Sequence, residues 1–221
     1  HVTNFGYKVE KLVLLYWHRA WERLPLKFTV MVTVAVVSAS LFEIIPTFLI
    51  RSNVPTIATV APYTPLELAG RAIYLSEGCY NCHSQMVRPI RAETERYGEY
   101  SKPGEFVYDH PFQWGSRRIG PDLQRVGGKY PHLWHVRHMQ DPRAITQGSI
   151  MPAYPWMLTA ALDVGAIPRT MRAHRAIGVP YTDEEITGAV DSAAAQARGI
   201  ADEIASQGGP ADLAGSHVVA L

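Results

Sequence analysis

Apolar positions are spread very unevenly along this chain. From Phe28 to Ile50 it reads FTVMVTVAVVSASLFEIIPTFLI, 23 residues with a single charged side chain, Glu43. A helix of that length reaches about 35 Å, enough for a hydrocarbon core of ~30 Å. A soluble helix this long normally shows a polar face to water, and a signal peptide's apolar core is only ~7–15 residues. The segment is therefore read as one retained transmembrane helix, residues 28–50. Glu43 costs ~2.5–3.5 kcal/mol on insertion scales if it stands alone in lipid. A protonated or snorkelling acid is one reading; contact with another membrane subunit is preferred. Pro46 predicts a kink just beyond it.

The pattern changes on both sides of the span. Before it, residues 1–27 form a cytoplasmic interfacial segment, with a short helix expected over 9–23 and Tyr16, Trp17 and Trp21 at the headgroups. After it, residues 51–62 (RSNVPTIATVAP) read as a linker that reaches at most ~37 Å. Thr64-Pro65-Leu66-Glu67 then combines an N-cap, a first-turn proline and the acid of a capping box. That predicts a helix to about Ser76, packed through Leu68, Ile73 and Leu75, with Gly70 and Tyr74 on one face where another helix can cross closely. A second helical stretch is expected from Tyr130 to Gln140. Residues 63–182 are taken as one outer domain and 183–221 as a helix followed by an Ala/Gly-rich tail. The chain opens on His1 and stops at Leu221, so residues are expected to be missing before it and the end is expected to be truncated.

Composition changes this picture in two places. A mean hydropathy of -0.06 excludes a polytopic membrane protein. Lys+Arg 21 against Asp+Glu 20 gives a net charge of +1 and no basic face for nucleic acid. That balance hides an asymmetry. Lys8, Lys11, Arg19, Arg23 and Lys27 precede the span within 20 residues, and only Arg51 follows it within 20. The positive-inside rule then puts the N-terminus in the cytoplasm and the outer domain on the far side.

Both cysteines of the chain lie in Cys79-Tyr80-Asn81-Cys82-His83. In C-x-x-C-H, two thiols can add to the two haem vinyl groups while the adjacent imidazole reaches the iron. A redox dithiol would need a βαβ setting, and a zinc site would need further ligands at metal spacing. Neither is visible. The other face of a haem iron calls for a ligand, and the methionines outside the span are Met86, Met139, Met151, Met157 and Met171. Met86 is held on the His83 side by its three-residue separation, and Met139 belongs to a helical stretch. Met151 stands in a turn-rich loop, Gly148-Ser149-Ile150-Met151-Pro152. It is the candidate ligand, packing on the haem edge being the alternative. Gly120-Pro121-Asp122-Leu123 offers a loop carbonyl of the kind that accepts the second ring N–H of a metal-bound histidine.

C-x-x-C-H, then G-P-x-L, then M-P resembles the class I cytochromes c. Longer runs narrow the resemblance: GCYNCHSQMVRP at 78–89, RAETERYG at 91–98, DHPF at 109–112, WGS at 114–116, MPAYPW at 151–156 and GVPYT at 178–182. Over roughly residues 26–190 the chain resembles the mono-haem subunit of cbb3-type cytochrome c oxidase, the FixO or CcoO subunit. The resemblance implies a mainly α fold, one N-terminal transmembrane helix plus a class I cytochrome c domain. It also implies one covalent haem c on Cys79 and Cys82, iron ligands His83 and Met151, and Pro121 orienting His83. Electrons would come from a di-haem cytochrome c subunit and leave for haem b of a catalytic subunit, where a haem–copper centre reduces oxygen and protons are pumped. The complex would sit in a bacterial inner membrane with the haem domain periplasmic, and this chain would have no catalysis of its own. An interface calcium ion touching Ser116 is a further implication.

Arg88 and Arg118 are candidates for the haem propionates, with ion pairing to Glu93, Glu95 and Asp122 as the alternative. His110, His132, His135, His138 and His174 show no paired metal spacing and read as surface or hydrogen-bonding residues. One departure stands out. A class I cytochrome c has a last helix crossing its first, here near Gly70 and Tyr74, and residues 192–217 look too rich in Ala and Gly to supply it. Two other classes stay open: another membrane-tethered cytochrome c, such as a shuttle or the small subunit of a nitric oxide reductase, and a haem enzyme or gas sensor with an open distal face.

Overall fold

The computed structural model describes residues 16–17, 19–50, 55–115 and 117–221. The chain divides into two compact units, residues 1–55 and 56–221.

In the first unit, α1 runs Pro25–Leu49. Pro25 occupies its first turn, where the missing N–H costs nothing. Thr33 and Thr47 donate their hydroxyls to the carbonyls of Thr29 and Glu43, at 2.8 and 2.9 Å. Pro46 is accommodated inside the helix, which continues to Leu49. The stretch Pro25–Thr47 is long and apolar enough to cross a membrane. Residues 16–17 and 19–22 are helical as well, with the Trp17 and Trp21 rings 5.7 Å apart; most of the expected 9–23 helix lies outside the described residues.

In the second unit, α2 spans Pro65–Ser76 and begins as its sequence dictates. The Glu67 N–H donates to Thr64 Oγ1 at 3.4 Å, and the Thr64 N–H donates to the Glu67 carboxylate at 2.8 Å. Leu66, Leu68 and Ile73 are buried, while Leu75 is only half-buried. Then follow α3 (Arg91–Tyr97), α4 (His132–Gln140), α5 (Pro142–Ile145), α6 (Ile167–Ala176) and α7 (Asp183–Thr187). No strand forms among the described residues; Ala161 and Ser216 make an isolated bridge. The core gathers Leu66, Leu68, Met157, Met171, Val179 and Ile204, with α4 adding Leu133 and Val136. A mainly helical domain of cytochrome c type behind one apolar helix is the expected fold class.

The C-terminal region corrects the sequence reading. Where an Ala/Gly-rich tail was expected, α8 runs Ala189–Ser206 and packs on α2, followed by α9 at His217–Ala220. Ala189, Ala193, Ala197 and Ala201 recur every fourth residue and are all buried. Alanine is the best helix former and lets two helix axes approach closely, so this composition builds a helix and not a tail. Gly70 also meets the late chain. A Cβ built on it would lie 1.8 Å from the Ala220 carbonyl oxygen, so the crossing expected at Gly70 exists and is made with α9.

Candidate functional site

The C-x-x-C-H segment starts where α2 ends. Gly78 takes the left-handed conformation (φ 71°), breaking the helix, and Cys79–Asn81 form a single 3₁₀ turn. The His83 N–H donates to the Cys79 carbonyl at 3.0 Å, which stacks the two ends of the motif. Both thiols are free and half-buried. Burial pushes the Cys79 thiol up, the Glu77 carboxylate adding to it. Tyr74 donates its hydroxyl to the His83 carbonyl at 3.4 Å, tying the motif back to α2.

His83 and Pro121 are brought together. His83 Nδ1 lies 2.8 Å from the Pro121 carbonyl oxygen. A carbonyl only accepts, so the proton is on Nδ1 and Nε2 keeps its lone pair for a metal. Gly120 is the second part of the cradle. A Cβ there would stand 2.3 Å from His83 Cε1 and 2.8 Å from Nδ1, so the imidazole lies flat against a backbone that only glycine leaves open. The Gly120 N–H donates to the Cys82 carbonyl at 2.8 Å and locks the two loops in register.

Behind His83 lies a network whose depth the sequence reading did not foresee. Asp122 is buried and accepts from the Ser84 hydroxyl at 2.6 Å, the Met86 N–H at 2.9 Å and the Gln124 N–H at 2.9 Å. Arg118 donates to Ser84 Oγ at 2.6 Å and to the Met86 carbonyl at 2.5 Å, and it pairs with both Asp122 and Glu93. Arg88 pairs with Glu93 as well and leaves about half of its side chain in solvent. Burial by itself would raise the Glu93 carboxyl, but hydrogen bonds from Arg118 and Arg88 outweigh it and hold its pKa at about 2. The pairing partners were legible from sequence; their burial was not. Of the two propionate candidates, Arg118 is enclosed and its donors are occupied within the protein, while Arg88 keeps an exposed face.

The methionines separate by burial. Met157 and Met171 are fully enclosed and Met139 packs against the core, whereas Met86 and Met151 are half-buried. The Met86 N–H and C=O are both tied into the Asp122–Arg118 network on the His83 side. Met151 follows a left-handed Gly148 (φ 79°), and its N–H donates to Ser149 Oγ at 3.2 Å. The Tyr154 N–H donates to the Met139 carbonyl at 2.7 Å, anchoring the same loop to α4. Tyr154 and Trp156 follow on the same loop, their ring centroids 5.1 Å apart. Trp156 donates to Glu77 at 3.3 Å, and the Tyr154 hydroxyl is pushed up by burial with Cys79 and Cys82 adding.

Of the histidines outside the motif, His138 stacks on Trp134 with centroids 4.7 Å apart, and burial, then the nearby His83, push its pKa down. His132 stands 3.5 Å from Glu203. Among the described residues no group of three or more His, Cys, Asp or Glu is placed to hold a metal ion. Ser116, the expected calcium contact, lies outside the described residues.

Two free thiols, a histidine of fixed tautomer and a glycine-lined face for its ring fit one haem as the group this site would take. The fold and these residues together define a small helical cytochrome domain tethered to an apolar helix. Residues 18–221 match the family model described as "Cytochrome C oxidase, mono-heme subunit/FixO", and the chain belongs to that family. A search of curated proteins found no match. Family membership decides between the classes left open above: the chain is a mono-haem subunit of a cytochrome c oxidase, not a free shuttle or a nitric oxide reductase subunit.

Proposed function

We propose that this chain is the membrane-anchored electron relay of a cbb3-type oxidase, carrying one haem c bound covalently through Cys79 and Cys82. His83 Nε2 and the Met151 thioether are the two iron ligands. The observation that carries the reading is the His83–Pro121 hydrogen bond with Gly120 beside the ring, because it places the ring proton on Nδ1 and leaves Nε2 bare. Haem supplies a one-electron iron couple, and Met/His ligation raises its potential. Two protein ligands leave no coordination position for oxygen, so this chain passes electrons and does not itself reduce oxygen.

The Cys79 and Cys82 thiols hold the group at the end of α2, and Pro121 and Gly120 set the imidazole plane. Arg88, with its exposed face, is the arginine we assign to a propionate; Arg118 is assigned to the loop behind His83. Electrons arrive from a di-haem cytochrome c subunit and leave for haem b of a catalytic subunit, whose haem–copper centre reduces oxygen while protons are pumped. The flanking charges orient the chain with its N-terminus in the cytoplasm of a bacterium and its haem domain in the periplasm, with residues 63–182 as the haem domain. A calcium ion at the catalytic subunit with Ser116 as one contact is part of the same reading.

The test is Met151→Ala in the intact complex. Covalent haem is retained, the near-infrared methionine–iron band of the ferric protein disappears, and the potential falls. Survival of both the band and the potential would show that another group ligates the iron.

A further inference from the structure

Among the described residues, two ring nitrogens are enclosed without a hydrogen-bond partner, His138 Nδ1 and His217 Nδ1. His138 stands on α4, and the next residue, Met139, gives its carbonyl to the Tyr154 N–H of the Met151 loop at 2.7 Å. Burial, then the nearby His83, push the His138 pKa down, so its ring is neutral at pH 7. His138 therefore stands next to His83 and to the loop of Met151, the two proposed iron ligands. Its ring is held by stacking instead of hydrogen bonds. Trp134 lies against it at 4.7 Å and 11°, and Tyr130 lies against Trp134 at 4.1 Å and 13°. The Lys129 ammonium stands 5.6 Å over Tyr130 and closes the stack.

Such a ring is oriented but chemically uncommitted. His83 offers the contrast, because Pro121 accepts from its Nδ1–H and leaves Nε2 bare. Nothing accepts from His138 Nδ1. A buried donor without an acceptor is rarer than an acceptor left unmet, so the His138 proton belongs on Nε2. That nitrogen has no hydrogen bond to any described residue, and it is not enclosed. His138 is thus the opposite tautomer to His83, a donor whose bare nitrogen is turned into the protein. It suits an acceptor beside the iron and not the iron itself. A propionate carboxylate and the Met151 thioether are the acceptors this site would bring. The tie between Met139 and Tyr154 sets His138 on the Met151 side, whereas Arg88, the arginine assigned to a propionate, pairs with Glu93 in the network behind His83.

We propose that His138 is a positioning residue for the second iron ligand, its Nε2–H donating to the Met151 sulfur. A thioether is a weak acceptor, so the bond adjusts the ligand and does not replace it. Drawing electron density from sulfur weakens its hold on ferric iron more than on ferrous iron, which raises the potential. The inference rests on the reading of Met151 as a ligand.

The test is His138→Phe in the full chain, loaded with haem and purified in detergent. Phenylalanine keeps a ring to stack on Trp134 and removes the donor. The potential should fall, and the near-infrared methionine–iron band of the ferric protein should move. Added imidazole should bind the ferric iron about two- to fivefold more weakly, because sulfur freed of the donor holds iron more tightly. His138→Gln, which keeps an N–H, should lie nearer to the unsubstituted chain in all three readouts. Unchanged band and potential in His138→Phe, or equal changes in both variants, would overturn the inference. A potential that falls while the band stays fixed would put the donor on a propionate and overturn it as well. Absence of the band from the unsubstituted chain would instead remove the Met151 assignment itself, and the inference with it.

Discussion

The loop that carries Pro121 and the loop that carries Met151 share one proposed task, yet they are secured by different means. On the His83 side, Ser84 is fully buried, Asp122 accepts three hydrogen bonds, and Arg118 joins two carboxylates to two strands of loop. On the Met151 side, the Ser149 N–H donates to the Thr146 carbonyl at 3.0 Å, Met151 borrows the Ser149 hydroxyl, and the Ile150 side chain stands in solvent. The chemistry of the two groups accounts for the difference. An imidazole must have its proton placed on one nitrogen and its plane set, which takes a fixed carbonyl and a rigid loop behind it. A thioether has no proton to place, and its loop need only present the sulfur. Polar bonding is accordingly concentrated behind His83.

The sharpest way to break this comparison is Asp122→Ala. It strips the acceptor from three donors and a partner from the enclosed Arg118, and should destabilise the domain by about 3–5 kcal/mol. Denaturant unfolding of the whole chain in detergent measures it, and Asp122→Asn should recover part of the loss. Next comes acid. The folded Glu93 pKa of about 2 lies below its ordinary 4.5, so its stabilisation is complete above pH ~4.5 and is lost as pH falls toward ~2. That contribution is roughly 3 kcal/mol. Melting temperature against pH should show the fall in that window, and Glu93→Gln should flatten it.

Gly120→Ala is expected to cost about 1–3 kcal/mol by overpacking, because its Cβ meets a ring bound to a fixed carbonyl. Its more telling readout is a lower yield of covalent haem or a shifted methionine–iron band, since His83 must move. Gly148→Ala puts a Cβ into open space and pays only for its left-handed backbone, about 1 kcal/mol. If Gly148→Ala disturbed the haem spectrum as much as Gly120→Ala, the contrast between the two loops would be gone.

The parts of this site that sequence made legible are those fixed by short-range chemistry. Cys79, Cys82 and His83 are neighbours in the chain, and the Thr64–Glu67 capping box is a local signal that the structure reproduces. The Gly120-Pro121 loop was legible as a source of a carbonyl, but the fact that the His83 ring lies where a Gly120 Cβ would be needed three dimensions. Burial of the Glu93–Arg118–Asp122 group was missed because charged residues in a polar stretch look the same whether they face water or one another. The α8 helix was missed for another reason: alanine contributes little to an amphipathic pattern, and Gly199 within it, with Gly208, Gly209 and Gly215 after it, mimics a loop composition. The recurrence of alanine at 189, 193, 197 and 201 was the available signal.

The meeting of Gly70 with Ala220 also sets an order of events. It joins residues 150 positions apart, and α2, which leads directly into Cys79, cannot finish packing until α9 has been made. Between His83 and Ala220 lie 220 − 83 = 137 residues of synthesis, or about 7–27 s at ~5–20 residues per second. During that interval both thiols belong to an unfinished domain, whose α2 still lacks the partner that closes over Gly70.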